Sequence, residues 1–361
     1  MPIDTDSGIY IYDGTESASP YKTMLNLLAN SVKAAILTLK AMLTDTAQGA
    51  ANWAFNSCFD INQRGGTSWT AVGWTVDRWY LYARVATTVN WITLGATETF
   101  FKTLKCIELL ATATTNSATY VQAYAAEDVA EMRGQAVKFE VPMLGLDAAS
   151  QATISIQKSP TANSVSATNW TVINSVTVTP GTAGTKAIVY ATIPADTTAA
   201  GVRVVVSTNN NPNGYGVRIG RITFAPGTTP PSQHRRRGFT AKGDERECMA
   251  YSINLAVAQG GYPSIAPMRI VSSTMGYALI ALGMPMRSAP TLIVSSAGHF
   301  AAVDVSDRVV GLSTIAIANV SGGTQYIRLI CNVASGLTAG QSSELLQNSV
   351  SARLVLSAEL T

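Results

Sequence analysis

Asp77-Arg78-Trp79 sets an acid, a cation and an indole on consecutive positions. These are groups that can hold a saccharide: an aromatic plane for the ring and charged partners for its hydroxyls. The triplet also has a structural use. Trp79, Tyr80 and Leu81 begin a strand, a tryptophan embedded in a strand is usually core, and Asp77 and Arg78 can tie the adjacent turn. The structural use is the stronger of the two, and Arg64 is ambiguous for the same reason. On a β scaffold the loops are better placed for contact. Trp69 and Trp74 flank a polar, glycine-containing loop, and Asn209, Asn210, Asn211 and Asn213 lead to Tyr215 in another. An amide donates and accepts at once, which suits sugar hydroxyls. The candidate carbohydrate contacts are therefore Trp69, Trp74, Asn209, Asn210, Asn211 and Tyr215, set against ordinary turn chemistry.

Catalysis finds less support. The acids fall into no catalytic motif, and Glu127, Asp128 and Glu131 fit a solvated turn or short helix. A glycosidase needs two carboxylates flanking one bond. No GxSxG, HExxH or P-loop is present, and His299 has no evident partner. An enzyme is a second hypothesis, and the expectation is none. Four cysteines, Cys58, Cys106, Cys248 and Cys331, include no CxxC pair, and there are two histidines. No metal or cofactor is expected. The thiols read as small buried groups of a chain folding in a reducing cytoplasm, with distant disulfides left open.

The elements that must position these residues follow from composition and periodicity. The chain has 361 residues, 47% hydrophobic but only 13% charged, half the usual ~25%. Hydroxyl-rich surfaces over β-branched interiors fit extended β proteins and obligate oligomers. A net charge of +3 is too small to argue for nucleic acid. The one concentrated charge, Arg235, Arg236 and Arg237, reads as solvated linker or an inter-subunit ion pair, with a phosphate grip as the sharper alternative. Asp4 and Asp6 occupy the place of a basic leader, so no signal peptide is expected. No apolar run is long enough for a membrane span.

Residues 1–50 read as an N-terminal attachment arm and helix. Gly8-Ile9-Tyr10-Ile11-Tyr12 is a strand that needs a partner. Ser19-Pro20 opens a helix near residues 20–46. Leu25, Leu28, Val32, Leu39 and Met42 form an a/d seam suited to a bundle around an axis, most simply a homotrimer. The other use of that stripe is packing on its own domain. Residues 51–228 carry short alternating runs at 153–157, 171–178, 187–193, 202–207 and 217–224, the pattern of a sandwich or jelly roll. Residues 229–243 read as a Pro-rich linker. A second β domain is expected over 244–361, with runs at 265–271, 291–295, 312–320, 326–333 and 351–356. The fold class is thus mainly β.

The stretch 52–81, NWAFNSCFDINQRGGTSWTAVGWTVDRWYL, resembles the opening of the carbohydrate-binding-module-like jelly roll of phage tail-fibre and tail-collar proteins. The matching residues are Asn56, Phe59, Ile61, Asn62, Gln63 and Arg64, then Asp77, Arg78 and Trp79. Residues 217–226 take the place of that domain's exit. Gly283-Met284-Pro285-Met286-Arg287-Ser288-Ala289-Pro290-Thr291 is similar to the C-terminal module of such fibres. After the linker the family's cysteine-glutamine-arginine-tyrosine run is reduced to Cys248 and Tyr251. The resemblance implies a virion tail-fibre, tail-tip or baseplate protein, made in the host cytoplasm. Its partners would be further copies of itself, other virion proteins and a host cell-surface glycan. A decoration protein without receptor contact is the rival, ahead of a glycan-degrading tailspike.

Overall fold

A computed structural model of the protein describes residues 52–95, 100–227, 241–256, 262–283, 285–303, 308–319 and 325–360, with 29, 30 and 32. The expected N-terminal strand, residues 235–237 and the seam positions Leu25, Leu28, Leu39 and Met42 lie outside the described residues. Val32 is helical and exposed.

The chain is mainly β, as its alternation predicts. Two sheets face each other in the first unit. One contains β1 (Ser68–Trp69), β4 (Thr87–Thr93), β5 (Lys105–Ala111), β12 (Gly216–Ile219), β7 (Ala136–Gly145) and β10 (Thr185–Thr192) in that order, with β13 (Thr223–Pro226) also on β7. The other runs β2 (Gly73–Trp74), β3 (Tyr80–Val85), β6 (Ser117–Ala123), β11 (Gly201–Asn209), β8 (Ala152–Ser159), β9 (Thr171–Val178). The chain passes repeatedly from one sheet to the other and pairs antiparallel, a jelly-roll sandwich. On β11, Val202, Val204 and Val206 enter the main core while Val205 joins a cluster on the opposite face. That split is the two-residue period of a strand made physical. The core is aromatic at its centre, where Trp79 stacks on Tyr120 with centroids 5.2 Å apart and planes 12° apart. Burying each such ring is worth roughly 2–3 kcal/mol in area removed from water.

The second β region contains a closed barrel of β15 (Ser264–Ser272), β16 (Met275–Ala281), β20 (Tyr326–Val333), β19 (Val309–Asn319), β18 (Phe300–Val303) and β21 (Ser342–Gln347). Beside it β14 (Ser252–Asn254), β22 (Leu354–Ser357) and β17 (Thr291–Val294) form a three-stranded sheet. Ala266, Met268 and Ile270 of β15 point into the barrel core. Closure leaves the barrel strands no open edge.

Three details differ from expectation. The run at 217–224 is two strands, parted at Arg221, whose φ of 53° turns the chain. Residues 241–243, expected as linker, open helix α2 (Ala241–Met249); the earlier α1 (Ala126–Met132) carries Glu127, Asp128 and Glu131. Tyr251, expected at the start of the second unit, packs into the core of the first.

Candidate functional site

The residues that looked most like a sugar site make a structural knot. Asn56, at a positive φ of 44°, donates from its amide to Ile61 O at 2.7 Å and Asp77 O at 3.1 Å and accepts from Ile61 N. Asn62 closes the next turn by accepting from Gly65 N. Gln63 N donates to Asp77 Oδ1, and Gln63 Oε1 accepts from Asn254 N in the second unit. Arg78 is fully buried, its guanidinium 3.7 Å from the Tyr251 centroid and 4.7 Å from that of Phe55. It donates to Ala123 O and pairs with Glu359. Burial works against its charge, but Glu359 and then Tyr251 outweigh it and raise the pKa. Asp77 shows the reverse: burial pushes its carboxyl up to about 7, against the pull of Arg64. None of these groups is free to meet a ligand.

The open chemistry lies on the outer face of the six-stranded sheet. Register places Thr119 opposite Ser207, Ser207 opposite Thr153 and Thr153 opposite Thr177, so four hydroxyls cross β6, β11, β8 and β9 in one row. Thr153 and Thr177 share a 2.7 Å hydrogen bond, and Ser207 Oγ donates to Thr153 O. The row beneath adds Ser155 and Ser175, and Ser117 faces Asn209 above. At the lower end Arg203 lies between two rings, 4.5 Å from the centroids of Tyr82 and Trp170. Its Nε donates to Gln157 Oε1 at 2.8 Å, and burial lowers its pKa to about 10. From Arg203 to Asn209 the strip is about 20 Å long. Its upper part offers hydroxyls and an amide; at the lower end Ser155, Val205 and Arg203 are buried, so the cation braces the strip from beneath rather than standing open.

Asn209 is exposed at the upper end of this strip. Asn210 is exposed beside it at a φ of 50°, and Tyr215 is exposed further round the loop. Asn211 is a correction: it is buried, and its Oδ1 accepts from Gln151 N at 2.7 Å. Trp69 sits half-buried on β1, packed against the main core. Trp74 lies half-buried on β2, edge-on to Tyr80 with centroids 5.1 Å apart. The two tryptophans thus belong to different sheets. Sequence reasoning missed Arg203, Tyr82, Trp170 and the hydroxyl row. The alternating polar positions Ser117 and Thr119, Thr153 and Ser155, and Ser207 and Asn209 were visible; the register that aligns them was not. Among the described residues no group of three or more His, Cys, Asp or Glu could hold a metal ion, and no helix is long and apolar enough to cross a membrane.

No protein-family model and no curated protein matches the chain. Among solved structures it is similar to a domain described as "CBM4 structure and function" (14% identity, 48% of this chain and 98% of that one, TM-score 0.29). It is also similar to the CBM22-1 xylan-binding domain from Paenibacillus barcinonensis Xyn10C (8% identity, 48% of this chain and 94% of that one, TM-score 0.30). A third is the enzymatically active domain of bacteriophage CBA120 tailspike protein 4 (10% identity, TM-score 0.30), where the match covers 41% of this chain and only 19% of that one. At scores of this size the likeness is partial, and the chemistry rests on the residues above.

Proposed function

We propose that this chain is a structural and adhesive phage virion protein of the tail-fibre, tail-tip or baseplate kind, which binds host cell-surface glycan without cleaving it. The observation that carries the adhesive half is the hydroxyl row Thr119–Ser207–Thr153–Thr177, braced beneath by the buried Arg203 between Tyr82 and Trp170. Such a strip gives many weak, adaptable hydrogen bonds, and repeated copies would convert them into avidity. The virion half is supported by the tail-fibre-like residues Asn56–Arg64 and Asp77–Trp79. Attachment falls to residues 1–50, with Leu25, Leu28, Val32, Leu39 and Met42 facing a trimer axis.

Adsorption of the full chain to host cells or envelope glycans tests this reading. Wild type is expected to adsorb without releasing reducing sugar, and Thr119→Lys with Ser207→Lys to lower adsorption at least tenfold. Wild-type adsorption by that variant removes the sheet face. Sugar release in proportion to protein establishes an enzyme instead, and no adsorption at any avidity leaves a decoration protein. Leu28→Asp with Val32→Asp is expected to abolish assembly, because unpaired charges would be buried on the axis; unaltered assembly refutes the seam.

A further inference from the structure

A concave site lies where the two β units meet. Arg64 and Trp74 from the first unit and Ile293, Ser295, Arg353 and Val355 from the second line a pocket of about 390 Å³. Its walls are apolar on Ile293, Val355 and the Trp74 ring, and its polar groups converge from a few points, the usual form of a small-ligand site at a domain junction.

The charges around it do not balance. Glu359 is held by Arg78 at 2.7 Å, and Arg64 reaches the same carboxylate only at 3.6 Å. Arg64 also donates to Ser357 Oγ, and its Nε is buried with no hydrogen-bond partner. Arg353 donates to the carbonyl of Gly65 at 3.1 Å, and no carboxylate among the described residues lies within ion-pair distance of it. Its seat is built for it. A Cβ on Gly65 would fall against the Arg353 guanidinium, and Gly65 has a φ of +69°. Ser295 Oγ accepts from Arg353 N at 3.0 Å and bonds His299 Nδ1 at 2.9 Å. Two guanidinium groups thus share one glutamate, while Arg353 beside them has no carboxylate within ion-pair distance among the described residues.

We infer that this pocket is a subsite for an acidic sugar unit, its anionic group on Arg353 and Arg64 and its ring against Trp74. Guanidinium forks match carboxylate and phosphate oxygens, and the indole supplies the flat apolar surface a pyranose face needs. The inference extends the adhesive reading by a ligand class but uses different residues from the sheet face.

The test is calorimetric titration of the full chain with an oligogalacturonate, with the corresponding neutral galacto-oligosaccharide, and with inorganic phosphate. The acidic oligosaccharide is expected to bind at least tenfold more tightly than the neutral one and to weaken as salt rises. Arg353→Gln and Trp74→Leu are each expected to reduce its binding at least tenfold, with melting curves confirming the fold. Arg353→Lys, which keeps the charge but loses the fork, serves if Arg353→Gln does not fold; it is expected to weaken acid binding severalfold, and wild-type binding by it overturns the inference. Equal binding of the neutral sugar, or wild-type binding by Arg353→Gln, overturns the inference. Phosphate displacing the oligosaccharide while Trp74→Leu binds as wild type shows a bare anion site and overturns the sugar assignment. Adsorption of neutral glycan and its loss on Ser207→Lys report on the sheet face, so the two readings fail separately.

Discussion

Arg78 Nη1 donates to Glu359 Oε2 at 2.7 Å, joining positions 281 residues apart, with both side chains almost wholly buried. The pair fastens the end of the second unit to the turn that opens the main strands of the first. Leu360 completes the clamp by packing with Val121, Ala123 and Val205 on the sheet's outer face. A buried ion pair adds little compared with an apolar pair of equal volume, but breaking one strands a charge without solvent.

Arg78→Ala and Glu359→Ala are therefore each expected to cost about 3–5 kcal/mol, measured by denaturant unfolding. The double replacement Arg78→Met with Glu359→Leu should recover much of that loss. A cost below 1 kcal/mol for either single change would show that solvent reaches the pair.

Asp77 gives a pH dependence of opposite sign to most carboxylates. Burial raises its folded pKa to about 7, from the ordinary 3.8. Between those values the unfolded chain gives up a proton that the folded chain keeps, so this group lowers stability as pH rises from about 4 to 7 and adds no change above. The difference amounts to about 4 kcal/mol. Asp77→Asn removes the term, so its stability relative to wild type should climb across that window. A flat difference between pH 4 and 7 would place the folded pKa at its usual value.

How much of this was legible beforehand depends on whether the information was local. The strand at 171–178 is visible in its sequence because alternation and flanking turn residues are local. The structural use of Trp79 was legible too, from its place beside a strand. The Arg78–Glu359 pair was not, since nothing local marks a partner 281 residues away. Barrel closure and the hydroxyl row were equally hidden, because both depend on which strands become neighbours. Asn211 misled because an asparagine run reads as a polar turn whichever of its members faces inward.

The four cysteines are buried, as the sequence suggested. Burial pushes the Cys331 thiol up to about 12, so it carries almost no thiolate at neutral pH. A thiol-reactive probe should label the native chain slowly and all four positions quickly in denaturant. Fast native labelling at Cys331 would show local opening of β20 against β16 and β19, its two neighbours in the barrel.

The asparagine loop sets an exposed side chain and a buried, supporting one within three consecutive residues. Asn209 stands exposed opposite Ser117, at the end of the hydroxyl strip. Asn211 faces inward: its backbone is held on both sides by the Asn116 amide, which donates to its carbonyl at 2.6 Å and accepts its N–H at 3.2 Å. Its own Oδ1 holds Gln151 N, whereas its amide nitrogen is buried without a partner. Asn211→Ala thus strands one backbone donor but relieves one unmet side-chain donor. The expected cost is at the low end for a lost buried hydrogen bond, about 1 kcal/mol. Asn116→Ala loses the bonds on both sides of Asn211 and should cost about 2–3 kcal/mol. Asn209→Ala, on the surface, should change stability by less than about 0.5 kcal/mol yet weaken glycan adsorption severalfold. Melting curves and adsorption measured on the three variants decide the matter. If Asn211→Ala weakens adsorption with its melting curve unmoved while Asn209→Ala leaves adsorption intact, contact belongs to the turn, and the strip is only its support.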